Sequence, residues 1–534
     1  MHWTSNSQIL FADIPDPSVI RVGDTYYMTS TTMYFTPGCP VMKSKNLRDW
    51  ELIGYVYETL NDSDHMTLQN GKHDYGRGSW ASCLRYNKGV FYVSFVAYNT
   101  GKTYIFKTRD IEGGVWERHV IDGIYHDMSI LFDDDGRVYM VYGAGAIKMV
   151  ELTADATEIK PSGMSKTIIE NADPTGGNGL AEGAHIYKLH DAYYIFIIAW
   201  PKTGNRRRIQ VCYRATTIDG DYENRIVLDD TMGFQNAGVA QGGIVDTPDG
   251  EWYAMLFQDH GAVGRVPVLV PVEWSGGWPV FGKPELLDCS GVLKNDFLHS
   301  QWNHNPVNSH WLYEAHDDTR LGRLRLTALP ANSLSDARNT LTLRTFGPMC
   351  VGEATLNISG MRDGDFAGIA AFQDQYAYIG VKMCDGKKYA IQRAAAQTEN
   401  NYKIEYTTGQ PEKEITAIPL TQDRANSMRN RPDGAAAKNR VFRSFAATGG
   451  TDFELIRYTI HLKIIFDFTD ARDEADFFYS LDGREYKKIG NRLKMSYRLS
   501  HFTGYRFALF NFATAKGGGG YVDFTKAALR PYPQ

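Results

Sequence analysis

Two aspartates stand three positions apart in Phe11-Ala-Asp-Ile-Pro-Asp-Pro-Ser-Val-Ile20, and prolines flank the second. Pro15 and Pro17 bias the backbone at Asp16 to extended or turn geometry, which restricts the direction of its carboxylate. A carboxylate held that way suits a general base. It equally suits a plain turn, and Asp13 is its rival. Two further acids occupy comparable places: Asp127 in Gly123-Ile-Tyr-His-Asp-Met-Ser-Ile130, and Glu182 in Gly179-Leu-Ala-Glu-Gly-Ala-His-Ile-Tyr187. Gly183 has no side chain and lets another group approach Glu182 closely. Acids gathered in one pocket shift one another's ionisation, which is what dividing proton donation from proton acceptance requires. Their convergence depends on the elements between them.

Those elements repeat. A turn with Gly or Asp runs into paired aromatic or β-branched residues and an apolar strand pattern. It appears as Gly23-Asp-Thr-Tyr-Tyr27, Lys88-Gly-Val-Phe-Tyr92, Asp135-Gly-Arg-Val-Tyr139, His190-Asp-Ala-Tyr-Tyr194 and Asp249-Gly-Glu-Trp-Tyr253. Successive units are offset by 65, 47, 55 and 59 residues. Several units continue into a second strand and a polar turn closed by an aromatic, as in Lys43-Ser-Lys-Asn-Leu-Arg-Asp-Trp50. Repeats of this length, each with several short strands, predict propeller blades, and five units predict five blades over residues 1–282. The innermost strands of a propeller surround a channel. Asp16, Asp127 and Glu182 would stand at the heads of three of them.

Residues 283–296 read as a linker. From Phe297 to Gln534 the blade pattern is gone, and strands with glycine turns, such as Ala367-Gly-Ile-Ala-Ala-Phe372 and Tyr458–Phe466, predict a concanavalin-like β-sandwich. The chain is therefore expected to be all-β. The stretch 422–448, rich in Arg, Asn and Ala, reads as an exposed insertion with room for a short helix.

Composition narrows the function. A formal charge of −5 gives no basic footprint for nucleic acid or an anionic membrane. The longest apolar runs, such as Tyr193–Trp200, have strand length and fall well short of the roughly 20 residues that span a bilayer. No basic start leads into an apolar run, so a cytoplasmic location is expected. The six cysteines are scattered without CxxC and read as free thiols.

Pro15-Asp-Pro-Ser18 with Arg21-Val-Gly-Asp-Thr-Tyr-Tyr27 closely resembles the opening of glycoside hydrolase family 43. The likeness continues through Thr36-Pro-Gly38, Ser44-Lys-Asn-Leu-Arg-Asp-Trp50, Trp80-Ala-Ser82, His126-Asp-Met-Ser129, Ala181-Glu-Gly-Ala-His-Ile-Tyr187 and Gly264-Arg265. Trp302-Asn-His-Asn-Pro306 and Gly364-Asp-Phe-Ala-Gly-Ile-Ala370 resemble the C-terminal sandwich of its xylosidase branch. The resemblance implies an inverting exo-glycosidase acting on xylo-oligosaccharides, a β-xylosidase ahead of an α-L-arabinofuranosidase. It implies Asp16 as general base, Glu182 as general acid, and Asp127 as the residue that orients the acid and raises its pKa. It demotes Asp13 to turn or rim. Inversion asks one carboxylate to activate water on one face of the sugar while another, protonated, serves the leaving oxygen.

Arg265 matches an arginine that contacts the sugar, and Trp80 and Phe35 are candidate subsite walls. Where many members carry a histidine near the channel axis, this chain offers Gln241. His260 is instead the candidate ligand for the divalent cation, often calcium, that some members hold there. No organic cofactor is implied, and homo-oligomerisation is left open. Two other readings remain. A retaining fructosidase shares the two-domain plan but opens on an Asn-Asp-Pro-Asn-Gly type motif, absent here. A non-catalytic carbohydrate-binding propeller would use the same acids only to hydrogen-bond sugar.

Overall fold

The computed structural model describes residues 11–287, 300–314, 323–395, 411–420, 458–498, 501–515 and 518–532. The segment 422–448, read as an exposed insertion, lies outside them. Each expected repeat is a hairpin turn between the first two strands of a blade. Lys88-Gly89 and His190-Asp191 adopt positive φ at both central positions, and Gly23, Gly136 and Gly250 also have positive φ. This geometry matches the right-handed twist of the flanking strands.

The first strands of the five blades are Ser18–Val22, Cys83–Asn87, Ser129–Phe132, Leu180–Leu189 and Ala240–Asp246. Each leads an antiparallel sheet whose strands follow chain order. Each first strand neighbours the first strands of the blades on either side, and the fifth returns to the first, which closes the ring. At that closure Arg21 of the first blade donates from Nε to Asp246 Oδ1 of the fifth at 3.1 Å. Buried serines join other blades: Ser18 Oγ accepts the Leu84 N–H at 2.9 Å and Ser129 Oγ the Ile186 N–H at 3.1 Å. The Asp-x-Ser spacing shared by Asp16-Pro17-Ser18 and Asp127-Met128-Ser129 therefore has one meaning. The aspartate stands at the blade head, and the serine ties that blade to the next.

The fifth blade runs beyond Trp278–Phe281. Glu285–Leu286 pairs with Val268–Leu269, so the opening of the expected linker belongs to the blade edge. The second unit holds two large sheets. One contains Leu341–Arg344, Arg506–Ala513, Asp365–Phe372, Ala377–Cys384, Lys387–Ala395 and Glu412–Pro419. The other contains Arg323–Thr327, Tyr521–Pro531, Met349–Asn357, Thr459–Asp467 and Glu474–Ser480. In the second sheet Thr459–Asp467 alternates, with Ile460, Leu462, Ile464 and Phe466 buried and intermediate residues between them, so one side supplies the core between the sheets. In the first sheet Leu341–Arg344 and Arg506–Ala513 are buried along their whole length, and Phe510 and Phe512 share a core with Tyr34 and Phe35 of the propeller.

The two units share a seam. Phe35–Thr36 leaves the first blade and pairs with Gln301–Asn303, joining an edge of a sandwich sheet. One hydrophobic core contains Ala12, Ile14 and Val263 from the propeller with Leu341, Phe346 and Phe507 from the sandwich. Across the seam Asp13 accepts the Arg265 N–H on Oδ1 at 2.9 Å and the Gly504 N–H on Oδ2 at 2.8 Å. A Cβ on Gly504 would lie 2.1 Å from the Val263 carbonyl oxygen, so only glycine allows this approach. Asp13 is buried and bridges the two units, which corrects the expectation of a turn or rim residue. The five described cysteines are free, four of them buried. Among the described residues no helix is long and apolar enough to cross a membrane.

Removing the Asp13 carboxylate leaves two buried N–H donors without an acceptor. Asp13→Ala is expected to lower unfolding stability by about 2–6 kcal/mol, since each orphaned group costs about 1–3 kcal/mol. Urea denaturation checks this, and an unchanged midpoint would contradict the bridging role.

Candidate active site

The heads of the innermost strands open on one mouth of the channel, and the backbone there is unusual. Asp16, Asp127 and Gln241 have φ of 52°, 48° and 59°, and Gly183 has φ of 71°. Left-handed backbone at non-glycine residues is costly and concentrates at functional sites. At the fourth and fifth blades it coincides with bulges, between Glu182 and His185 and between Ala240 and Gly243. Bulges re-aim side chains. A Cβ on Gly183 would meet the Gln241 side chain at 2.9 Å, so the glycine admits Gln241 beside the strand of Glu182.

On one side of the mouth Asp16 is buried and held by two donors. Arg265 Nη1 donates to Oδ1 at 2.8 Å and Thr31 Oγ1 to Oδ2 at 2.6 Å. Each oxygen keeps a lone pair for a water. Arg265 is itself buried between the Phe257 and Phe502 rings, 4.8 and 5.9 Å from its guanidinium carbon. Burial opposes its charge, but Tyr497, Asp16 and Asp13 more than offset that and push its pKa above the ordinary arginine value. A second guanidinium, Arg208, pairs with Asp259 and lies over Trp200 and Phe257. Burial, with the charge of Arg265, lowers it to about 10.

Opposite stands a cluster of three titratable groups. His126 Nε2 lies 3.0 Å from Glu182 Oε2 and 3.7 Å from Asp127 Oδ2, and its Nδ1 lies 2.9 Å from Tyr98 Oη. Burial is the strongest influence on Asp127 and raises it. His126 and Arg265 oppose that rise while Glu182 and Asp16 add to it, and the outcome is about 7. On His126 burial opposes the charge, but Asp127, the hydrogen bond to Glu182 and Asp16 outweigh it and push the imidazole up to about 9. The cluster therefore stores protons near neutral pH across from a carboxylate held by two donors. Such a division suits acid–base chemistry on a bond placed between them.

Aromatic walls close the mouth. Trp80, at the head of the second blade, packs on Tyr98 at 4.9 Å, on His126 at 5.7 Å and on Phe502 at 5.0 Å. Phe502 comes from the sandwich, beside Gly504, which Asp13 holds. Phe35 does not line the mouth. It is fully buried in the seam, with its ring 4.5 Å from Tyr34 and under the Arg506 guanidinium, and its strand continues the sandwich sheet. Phe502 takes the wall role expected of it.

His260 is held at one ring nitrogen. Gln258 Nε2 donates to the Thr231 and Ala237 carbonyls, which leaves Oε1 to accept from His260 Nε2 at 2.8 Å. The ring stacks on Phe234 at 4.3 Å, and burial lowers its pKa to about 4. Among the described residues His260 joins no group of three His, Cys, Asp or Glu donors.

Sequence reading placed Asp16, Asp127 and Glu182 at strand heads and offered Arg265, Trp80 and Gln241 from the family resemblance, and the fold brings all six to this mouth. It missed Thr31, Tyr98, Arg208, Tyr497 and Phe502. His126 was visible only as the neighbour of Asp127, and its contact with Glu182 spans 56 positions.

A carboxylate held by arginine and threonine, facing a proton-storing carboxyl cluster in an aromatic-walled pocket, defines a glycoside hydrolase site. Residues 6–279 match the family model for glycosyl hydrolases family 43, and residues 296–426 and 438–529 match the β-xylosidase C-terminal concanavalin A-like domain. The chain belongs to glycosyl hydrolase family 43. It is 32% identical to a putative β-xylosidase of Xylanibacter ruminicola over 69% of this chain and 71% of that protein. It is 30% identical to a β-xylosidase of Formosa agariphila over 71% of this chain and 75% of that protein. A solved bifunctional GH43-CE protein of Bacteroides eggerthii is 40% identical with a TM-score of 0.83; the match covers 99% of this chain and 64% of that one.

Two outcomes follow from the geometry. Phe502→Ala is expected to raise KM roughly tenfold, about 1.4 kcal/mol of binding, with little change in Tm. Phe35→Ala is expected instead to cost about 3–5 kcal/mol of stability, as for other buried phenylalanines, and to leave KM unchanged. Kinetics and thermal unfolding of both variants separate the roles, and the reverse pattern would contradict this assignment. The proton on Asp127 is present below about pH 7 and lost above it. kcat/KM should therefore fall as pH rises through about 7, and a profile flat to pH 9 would contradict a working role for the cluster.

Proposed function

We propose that the chain is an inverting exo-glycosidase that releases xylose from the non-reducing end of xylo-oligosaccharides. The observation that carries this reading is that Asp16, held by Arg265 and Thr31, heads the first blade, while Glu182, within the His126–Asp127 cluster, lies on the fourth, which is not adjacent to the first in the ring of five. Asp16 is the base. It takes a proton from a water as that water attacks the anomeric carbon. Glu182 is the acid, giving its proton to the leaving oxygen as the glycosidic bond breaks and its electron pair moves to that oxygen. Asp127 keeps the acid's surroundings short of negative charge while it holds its own proton.

Phe502, brought from the sandwich onto Trp80, supports a pocket walled on that side, as an exo-acting enzyme needs.

A panel of p-nitrophenyl β-D-xyloside, α-L-arabinofuranoside and β-D-glucoside tests the reading. The β-xyloside should turn over fastest, and Asp16→Asn should lower its kcat/KM by at least about 10³-fold, the scale of a lost catalytic base. No turnover on any of the three, or an Asp16→Asn variant that keeps most activity, would contradict it.

A further inference from the structure

His126 holds one oxygen of Glu182 and leaves the other open. Its Nε2 meets Oε2 at 3.0 Å, whereas Oε1 makes no hydrogen bond among the described residues, and the Glu182 side chain keeps 26% of its surface exposed. The imidazole is clamped from behind. Tyr98 Oη meets Nδ1 at 2.9 Å, and Trp80 stands against the ring at 63°. The groups that face it are Asp127, Glu182 and Asp16 on the acid side and Tyr98 on the other, with Arg265 acting through Asp127. A side chain fixed at both nitrogens sets the rotamer of what it holds.

We propose that His126 is a positioning residue for the acid: it donates from Nε2 to Oε2 of Glu182, so that the transferred proton is carried on Oε1, the oxygen facing the pocket. The inference rests on the reading of Glu182 as acid. In the step, the Oε1–H bond breaks as the leaving oxygen gains the proton. The glycosidic electron pair goes to that oxygen, and negative charge appears on the carboxylate. The Nε2–H donor then faces a full carboxylate, and a charge-assisted hydrogen bond is stronger than the one it had before. His126 thus favours the state formed by proton donation more than the state before it, which is the condition for a rate effect. The benefit should appear only where the leaving group needs a proton.

Leaving-group dependence tests this. For His126→Ala, kcat/KM on xylobiose should fall roughly 30- to 100-fold, the scale of a lost hydrogen bond to a charged group. On 2,4-dinitrophenyl β-xyloside, whose leaving group departs without a proton, it should change less than about 3-fold. His126→Gln, which restores an N–H donor without the charge, should recover most of the loss on xylobiose. Both variants remove a cation beside two carboxyls, so the alkaline limb of kcat/KM should move to higher pH. A purely structural histidine would slow both substrates alike and leave the limb in place. That result, or unchanged xylobiose hydrolysis, would overturn the inference. Glu182→Gln in the same assay keeps the two claims apart. Discrimination by Glu182→Gln without discrimination by His126→Ala overturns this inference alone. If Glu182→Gln does not discriminate, the acid assignment falls and this inference with it.

Discussion

The carboxylate of Asp13 holds the pocket together. It accepts one N–H from Arg265 of the fifth blade and one from Gly504 of the sandwich, and the Asp13 carbonyl accepts Arg344 Nε at 3.0 Å. Both carboxylate bonds are buried, so burial raises the pKa of Asp13 while the two N–H donors oppose the rise. The consequence is positional. Arg265 is anchored by its backbone at Asp13 and by its guanidinium at Asp16, and the loop bearing Phe502 is anchored two residues on, at Gly504. One side chain therefore fixes the cation beside Asp16 and the aromatic wall together, across the boundary of two folding units.

The electrostatics of the mouth follow from that arrangement. Three carboxyl groups in a water-poor space would repel one another strongly. Arg265 compensates Asp16, while His126 lies against both Asp127 and Glu182, and burial lets Asp127 keep its proton up to about pH 7. The two sides thus use different means, a fixed cation at Asp16 and an exchangeable proton at Asp127. Arg208, paired with Asp259, adds positive charge without a bond to either, and its lowered pKa reflects burial and the neighbouring Arg265.

Much of this was legible in the sequence, for physical reasons that also explain the gaps. The blades announce themselves because each needs a tight turn before an apolar strand, as in Asp135-Gly136 and Asp249-Gly250, and such turns have a restricted chemistry. Asp16 drew notice because prolines on both sides mark a constrained backbone, but only the family resemblance chose it over Asp13. Phe35 misled because it follows blade-like residues, yet its two-residue strand leaves the blade and joins another sheet. Asp13 looked like a turn residue because its partners lie 252 and 491 positions away. Phe502 and Tyr497 carry no local signal, since only the packing of the sandwich on the propeller brings them to the mouth. Local pattern located the strand heads that carry the three acids, and long-range contacts decided what surrounds them.

The proposed roles of Asp16 as base and Glu182 as acid require water to arrive on the face opposite the departing group. That claim is tested most directly by proton NMR of the xylose released from p-nitrophenyl β-D-xyloside, recorded before mutarotation. The account predicts α-xylose as the initial anomer, with β-xylose growing in at the solution rate. Initial release of β-xylose would mean retention, and would contradict the assignment of Asp16 as a water-activating base.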